Sequence, residues 1–183
     1  MNESDRIVGF LRALDAKLSK KTAIYIIGGS AITLAYSPDN RTSDIDIVGG
    51  DKELERFGGM NSDLAKAHGV YISKVYDISF SAPTGWRQRC KKLGFKLINI
   101  SVFVADPYDI VLGKLARLEP KDIDDIQSLE KGGFIEPDVL ILRLNDNIKE
   151  IERNEAYRKN ALLLFSIAFN QSIVFKNGKA KKS

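Results

Sequence analysis

Hydrophobic residues recur along the first part of the chain with two different periods, one helical and one extended. Helical spacing of apolar residues predicts an amphipathic helix over residues 5–19. Two short β-branched runs, at 23–27 and 43–48, each end at a pair of glycines, which is typical of strands that lead into tight turns. Further strands are predicted over 70–80 and 97–104. This part of the chain therefore combines helices with strands.

The remainder of the chain has a helical pattern. Two helices are predicted between residues 106 and 133, because a proline stands in the first turn of each. From Glu136 the spacing of apolar residues stays helical to about Ile173. The last residues, 176–183, are basic and have no hydrophobic period, so we expect a frayed tail there.

These elements predict an α+β fold. We expect a core over residues 1–118, a helical C-terminal part over 119–175, and a basic, disordered tail over 176–183. The length of 183 residues is sufficient for one domain with a proper core, or for a core with a small appendage.

The composition narrows the class of protein. Apolar residues make up 44% and charged residues 28%, which is ordinary for a globular protein. No apolar run is long enough to span a membrane, and the polar N-terminus predicts no secretory signal. Cys90 is the single cysteine, which excludes an intrachain disulfide and a zinc site built from cysteines and histidines. We therefore expect a cytoplasmic protein without membrane contacts.

The net charge of +4 favours polyanions without requiring them. Part of this charge lies in a basic cluster over 87–96, which is interleaved with Trp86 and Phe95. Two interpretations stay open for this cluster. It is either the solvated face of a helix or a contact surface for phosphates or RNA.

The most informative chemistry is Gly28-Gly29-Ser30 followed by Asp44-Ile45-Asp46. A turn of glycines lets the backbone approach a phosphate closely, and the N–H groups at the start of the next helix can bind an anion. Asp44 and Asp46 are two residues apart on a strand, so both carboxylates point to one face, where Mg²⁺ or Mn²⁺ would relieve their repulsion. Each part alone is also compatible with an ordinary turn and a solvent-facing strand. Together they predict phosphoryl or nucleotidyl transfer.

Two motifs resemble the nucleotidyltransferases of the DNA polymerase β superfamily. In the first, Gly29-Ser30 and Asp44-Ile45-Asp46 are separated by thirteen residues; the second joins the segment 106–117 to Lys121-Asp122-Ile123-Asp124-Asp125. In this fuller form the chain is similar to the DUF6036 nucleotidyltransferases, which are related to the AbiEii toxin family of abortive-infection systems. The resemblance covers roughly residues 22–130. It implies a mixed β-sheet core that is flanked by helices.

The resemblance also implies roles for the residues of the first motif. Gly28-Gly29-Ser30 would hold the triphosphate of a nucleoside triphosphate such as ATP. Asp44 and Asp46 would bind Mg²⁺ or Mn²⁺ and act in catalysis. In family members a third carboxylate on a later strand completes this set. Asp77 is the candidate for the third catalytic and metal-binding carboxylate, and Asn99 is another polar residue that could face the pocket.

Two basic residues are candidates for contacts with the nucleotide. Lys114 would contact a phosphate, or it is an exposed helical lysine. Arg41 would neutralise a phosphate, or it pairs locally with Asp44. Asp122 and Asp125 are either catalytic or a favourable negative charge in the first turn of a helix, and the second interpretation is preferred.

These inferences predict a metal-dependent nucleotidyltransferase that moves NMP from an NTP to a hydroxyl acceptor. The acceptor would be RNA or tRNA, a protein or a small molecule, and the basic cluster over 87–96 favours RNA. A place in a toxin–antitoxin or abortive-infection system, with a cognate antitoxin as partner, is part of this expectation. The alternative is a nucleotidyltransferase-like protein that has no catalytic activity and acts as a binding or regulatory partner.

Overall fold

The structure of the chain is a computed structural model that describes residues 2–40, 42–75, 83–149 and 154–183. It divides into two compact units. The first is drawn from Met1–Phe80 and Gly85–Asp106, and the second from Ser81–Thr84 and Pro107–Ser183. No helix in the described ranges is long and apolar enough to cross a membrane.

The first unit contains a five-stranded sheet with the strand order β3-β2-β1-β5-β4. The strands are β1 Thr22–Ile26, β2 Asp44–Gly49, β3 Tyr71–Lys74, β4 Lys91–Lys92 and β5 Ile100–Val104. Strand β1 is antiparallel to β2 and parallel to β5, while β2 is parallel to β3 and β4 is antiparallel to β5. The predicted mixed β-sheet core is therefore confirmed.

One face of this sheet is apolar and buried. Ile24 and Ile26 of β1 pair in register with Val102 and Val104 of β5, and Ile26 also pairs with Ile47 of β2. All five side chains are at most 2% exposed. Because side chains alternate between the two faces of a strand, the residues between these positions must point to the opposite face.

Helices of the first unit cover the apolar face. They are α1 Glu3–Asp15, α2 Gly28–Ala35, α3 Lys52–Gly58 and α4 Asp63–His68, whereas α5 Trp86–Arg89 lies at the opposite face, where Trp86 contacts Tyr25. Gly58, at the end of α3, lies where a Cβ atom would be 3.0–3.2 Å from Leu14 and Phe10 of α1 and Ile72 of β3. A side chain at this position would force these neighbours to move, so glycine favours the close approach of helix to sheet.

A buried carboxylate joins α1 to the start of β5. Asp15, which is 6% exposed, accepts hydrogen bonds from the backbone N–H groups of Ile98 at 2.9 Å, Asn99 at 2.7 Å and Ile100 at 2.7 Å. The Asn99 side chain in turn donates to the carbonyls of Asp15 and Leu18. The expectation that Asn99 could face the pocket is therefore wrong, because its amide is bonded to the C-terminal end of α1.

The second unit is mainly helical, and its elements are α6 Pro107–Lys114, α7 Pro120–Lys131, α8 Pro137–Asp146 and α9 Glu155–Phe169, followed by β6 Ile173–Lys176 and β7 Lys179–Lys182. Helix α6 belongs to this unit, whereas the sequence pattern predicted a division after residue 118. The buried Tyr157 of α9 shows the reason, since its hydroxyl donates to the Leu112 carbonyl of α6 at 2.7 Å.

The end of the chain forms a hairpin, which corrects the expectation of a disordered tail over 176–183. Strands β6 and β7 are antiparallel, and Lys176 pairs with Lys179 across a two-residue turn. That turn is Asn177-Gly178, with φ of 51° and 65°, the left-handed conformation that two-residue hairpin turns require. Asn145 of α8 holds the hairpin, because its side chain bonds to both the N–H and the carbonyl of Ala180. Backbone pairing therefore orders a segment that lacks a hydrophobic period.

Candidate functional site

The first component of the site is the turn between β1 and α2. Gly28 begins α2 with φ of 63°, a left-handed conformation that glycine adopts without strain. A Cβ atom at this position would lie 3.4 Å from Oδ2 of Asp46. Gly28 is therefore the point at which the turn and the aspartate-bearing strand approach each other.

The helix that follows this turn begins without a side-chain cap. Ile27 stands at the N-cap and makes no side-chain hydrogen bond, so the first turn of α2 consists of Gly28-Gly29-Ser30 with no capping side chain. The N–H groups of a first helical turn have no partners within the helix, and the helix dipole places partial positive charge there. Such a terminus favours an anion.

Ser30 contributes in a different way from its backbone. Its side chain is 1% exposed, and its hydroxyl donates to the Ile27 carbonyl at 3.2 Å. The hydroxyl thus closes the turn locally. The predicted contacts of Gly28-Gly29-Ser30 with a triphosphate stay a prediction.

The second component is the pair of aspartates on β2. Asp44 and Asp46 are both half-buried, whereas Ile45 and Ile47 between and after them are fully buried on the opposite face. Both carboxylates therefore lie on the face of the sheet opposite to the buried isoleucines. The Ile27 N–H donates to the Asp46 carbonyl at 3.0 Å, which fastens the glycine turn directly to this strand.

Two threonines that the sequence pattern did not indicate support the site, Thr42 at Asp44 and Thr33 at the glycine turn. The Thr42 hydroxyl lies 3.2 Å from Oδ1 of Asp44 and 3.0 Å from its carbonyl, and it can donate to one of them at a time. The Thr33 hydroxyl lies 3.0 Å from the Gly29 carbonyl and 2.8 Å from the Asn40 carbonyl. Thr33 thereby holds the connection between α2 and β2 against the glycine turn. Both threonines are buried, and spacing along the sequence carried no signal for either.

Arg6 of α1 anchors the start of β2 from the other side. Its guanidinium donates to the Thr42 carbonyl at 2.7 Å and to the Gly69 carbonyl at 2.7 Å. A salt bridge to Glu3, at 2.6 Å, holds the guanidinium in place. The position of Asp44 thus depends on a contact with the first helix of the chain.

Two of the predicted site residues, Asp77 and Arg41, lie outside the described residues, so their roles stay predictions. Within the described ranges, no group of three or more His, Cys, Asp or Glu side chains is arranged to hold a metal ion. Asp44 and Asp46 therefore offer two carboxylates, which are hard oxygen ligands of the kind that Mg²⁺ and Mn²⁺ take. A pair of like charges on one strand face, beside a turn whose positive φ favours glycine, suits such a cation.

Lys114 belongs to the second unit, and there it is buried rather than exposed. Its side chain is 8% exposed, and its ammonium lies 2.7 Å from Oδ1 of Asp122 and 2.7 Å from Oδ2 of Asp125. The interpretation as an exposed helical lysine is therefore wrong, and the phosphate contact stays a prediction. The second motif of the resemblance forms, in this unit, a buried ion triad between α6 and α7.

Asp122 is the most strongly bonded member of this triad. Its Oδ2 accepts from the Arg117 guanidinium at 2.9 Å and from the backbone N–H of Glu119 at 3.0 Å. Burial alone would raise the pKa of the Asp122 carboxyl, but hydrogen bonds from Arg117 and Lys114 and the charge of Lys114 bring it below its ordinary value. Asp122 therefore stays ionised and stabilises the first turn of α7.

Comparison with known proteins places the chain in a family. The model of the family described as "Nucleotidyltransferase of unknown function (DUF6036)" matches residues 6–174. No curated protein matches the sequence. Among solved structures, the chain is similar to the crystal structure of an antigenic nucleotidyltransferase-like protein from Paracoccidioides brasiliensis, with 18% identity and a TM-score of 0.44. The similarity covers 86% of this chain and 94% of that one.

Proposed function

This chain belongs to the DUF6036 nucleotidyltransferases, and from that premise we propose that it transfers a nucleoside monophosphate from an NTP to a hydroxyl acceptor. One observation carries the proposal. The Asp46 carboxylate lies against the α-carbon of Gly28, with 3.4 Å between Oδ2 and the position of a Cβ atom there. This contact joins a helix start suited to a phosphate to a pair of carboxylates suited to a divalent cation.

The glycine turn would bind the triphosphate. Backbone N–H groups of Gly28-Gly29-Ser30 donate at the uncapped start of α2, and the absence of side chains at the two glycines gives the phosphate oxygens access to the backbone. The carboxylates of Asp44 and Asp46 stand beside this turn and would repel the triphosphate. A divalent cation bound to them would neutralise that repulsion and the charge of the leaving pyrophosphate.

The transfer itself is a substitution at the α-phosphorus. The acceptor hydroxyl oxygen forms a bond to this atom, while the bond from it to the oxygen that bridges to the β-phosphorus breaks. The products are the nucleotidylated acceptor and pyrophosphate, and the hydroxyl proton passes to a carboxylate base or to water. Bringing the reacting groups together in line supplies most of the catalysis in reactions of this type.

Asp77 is our proposal for the base or third carboxylate, and it rests on the sequence. Strand β3 is in register with β2, so that Asp46 pairs with Ser73. Asp77 was chosen because it stands between Tyr76 and Ile78 in a strand-like run of the sequence, four positions after Ser73. A variant with Asp77→Asn should then lose transfer activity as Asp46→Asn does.

Thr42 and Arg6 would orient the site without touching the substrate. Thr42 reaches the Asp44 carboxylate, and the Arg6 guanidinium bonds to the Thr42 carbonyl. A carboxylate held in one rotamer loses less entropy when a cation binds. We therefore expect the effect of Thr42→Val to appear as weaker binding of Mg²⁺ or Mn²⁺.

The decisive experiment follows label from each α-³²P-NTP, with Mg²⁺ or Mn²⁺, into cellular RNA, protein and small molecules. Asp44→Asn and Asp46→Asn are compared with Asp124→Asn, a control that removes the same charge from an exposed position of α7. Labelling that both site variants lose and the control keeps would support the proposal and identify the acceptor. A toxin–antitoxin or abortive-infection role stays part of this proposal and rests on the family resemblance alone.

A folded wild-type protein that labels nothing with any nucleotide would contradict the proposal. Circular dichroism and thermal unfolding of each variant establish that the fold is intact. That outcome would favour the alternative, a nucleotidyltransferase-like protein that acts as a binding or regulatory partner. Retention of labelling in both Asp44→Asn and Asp46→Asn would contradict the assignment of the site.

A further inference from the structure

Aromatic rings line the face of the sheet opposite to the buried isoleucines. Tyr25 of β1 and Phe103 of β5 pair in register, and their rings stack with 5.0 Å between centroids and 20° between planes. Trp86 of α5 meets the Tyr25 ring edge-on, at 5.9 Å and 78°. All three side chains are half-buried, so part of each ring system is open to solvent.

These rings share their face with the two aspartates. Tyr25 pairs with Val48 of β2, and Val48 is an even number of residues from Asp46 and Asp44 on the same strand. Neighbouring strands are about 5 Å apart, and β1 lies between β2 and β5. The carboxylates and the rings therefore lie on the same face of the sheet, with the buried Val48 between Tyr25 and Asp46.

Cations accompany the rings. The Arg87 guanidinium carbon lies 5.5 Å from the Tyr25 centroid and 5.5 Å from that of Trp86, and the Lys92 ammonium lies 6.0 Å from that of Phe103. Both cationic side chains are exposed. The stretch from 78 to 105 contains five basic residues and no acidic one, so its net charge is +5. These rings and cations, Tyr25, Trp86, Arg87, Lys92 and Phe103, are named the aromatic–basic face.

We propose that the aromatic–basic face binds the unpaired bases of single-stranded RNA. Every base has a π-face that stacks on an aromatic ring, and the phosphates between bases pair with Arg and Lys, so rings interleaved with cations fit this ligand. Bases in a duplex are already stacked on one another and do not offer these faces. The basic cluster is not the face of a single helix, because α5 has only four residues, and two of its exposed cations lie over rings of the sheet.

The face also has a place in the reaction. A strand bound across β5 and β1 would direct its terminal hydroxyl toward Asp44 and Asp46 on the next strand of the sheet. The role of this face as the acceptor site rests on the proposed nucleotidyl transfer. Binding of RNA to the face does not depend on that proposal, because binding is measured without nucleotide or metal.

Trp86 is the single tryptophan of the chain, so its intrinsic fluorescence reports on this face alone. Titration with a short oligoadenylate, in EDTA and without NTP, should quench that fluorescence. The same oligoadenylate paired with oligouridylate should bind about tenfold more weakly, because stacking contacts are lost. Affinity for the single strand should fall steeply as salt is raised.

Matched variants distinguish binding of RNA at the aromatic–basic face from nonspecific attraction to the positive charge of the protein. Arg87→Ala combined with Lys92→Ala should weaken oligoadenylate binding about tenfold, as expected when cations that pair with phosphates are removed. Arg56→Ala is the control, because the exposed Arg56 guanidinium lies 5.0 Å from the Phe57 centroid on the helical layer, a similar pair away from the face. It should change binding less than about twofold. Phe103→Leu removes the ring but keeps an apolar side chain in β5, so it tests the contribution of stacking to oligoadenylate binding. Thermal unfolding of this variant establishes that the fold is intact.

The outcomes are distinct. Duplex RNA that binds as tightly as single-stranded RNA, Trp86 fluorescence that RNA leaves unchanged, or an Arg56→Ala effect equal to that of the double variant would each overturn the inference. RNA binding that persists while no nucleotide is transferred would contradict the proposed function and leave this inference standing. Transfer to a protein or small molecule, without RNA binding, would do the reverse.

Discussion

The α-carbon of Gly28 faces the carboxylate of Asp46. A Cβ atom at position 28 would lie 3.4 Å from Oδ2, in a backbone conformation with φ of 63°. This pair joins the glycine turn to the aspartate-bearing strand, and a substitution at position 28 tests the relationship directly.

Replacement of Gly28 by alanine should weaken the site more than it weakens the fold. The left-handed backbone costs an L-residue about 1–2 kcal/mol, and the new methyl group would stand against the Asp46 carboxylate. Thermal unfolding should show a loss of that size, and NTP binding should weaken about tenfold or more. Gly94→Ala is the control, because a Cβ atom at position 94 would have no neighbour within 4 Å. Equal effects of the two substitutions would contradict this prediction.

Removal of the Lys114 ammonium should destabilise the protein strongly. Lys114→Met leaves Asp122 and Asp125, which are 1–2% exposed, without the cation that lies 2.7 Å from each. Breaking a buried ion pair by removing one partner costs about 3–5 kcal/mol. Urea unfolding measures the loss, and Lys121→Met, at an exposed position of α7, should change stability by less than about 0.5 kcal/mol. A fully stable Lys114→Met that binds NTP poorly would instead favour the phosphate contact.

The free energy of unfolding should depend on pH through the carboxylate of Asp122 in the ion triad. The pKa of Asp122 is below its ordinary value of 3.8, so the unfolded state binds this proton more readily than the folded state. The stability that Asp122 contributes is therefore fully present above that ordinary value and is lost as the pH falls toward the lowered folded pKa. The free energy of unfolding, measured between pH 6 and about pH 3, should fall less steeply in Asp122→Asn than in wild type. Identical slopes would show that Asp122 makes no such contribution.

The carboxylate of Asp15 should matter for stability although it lies outside the candidate site. It accepts hydrogen bonds from three successive backbone N–H groups at the start of β5. An asparagine at position 15 would turn its NH₂ group toward one of these backbone N–H groups, so that one hydrogen bond is lost. A hydrogen bond to a charged group contributes about 1.5–3 kcal/mol. Asp15→Asn should lose about that much in urea unfolding. Asp39→Asn, an exposed loop position, should be nearly neutral, and a neutral Asp15→Asn would refute the anchoring role.

Local features of the sequence determined much of the candidate site. Alternation along 43–48 places Asp44 and Asp46 on one face because the side-chain period of a strand is two, and Ile45 and Ile47 are buried on the other face as that period requires. The Gly-Gly pair after the first strand predicted a tight turn, and Gly28 has the positive φ that such a turn uses. Each of these depends on residues within one or two positions of each other. The α+β class followed from the same local periods.

The hairpin at the end of the chain depends on both a local sequence signal and a long-range contact. Asn177-Gly178 is a strong local signal for a two-residue hairpin turn, but the flanking lysines have no apolar alternation to accompany it. The segment is ordered because Asn145, more than thirty positions earlier, bonds to the backbone of Ala180. A local pattern could have suggested the turn, whereas the contact that retains it is long-range.

Only the tertiary structure decided which distant residues meet. The order β3-β2-β1-β5-β4 makes Tyr25 and Phe103 neighbours, although they are far apart in sequence, and so creates the aromatic–basic face. The same packing buries Lys114 between two carboxylates and commits Asn99 to α1. The period of a strand states which side a residue takes, but strand neighbours depend on how the whole chain buries its apolar surface. Sequence alone therefore determined the elements of the site, and tertiary packing determined what surrounds them.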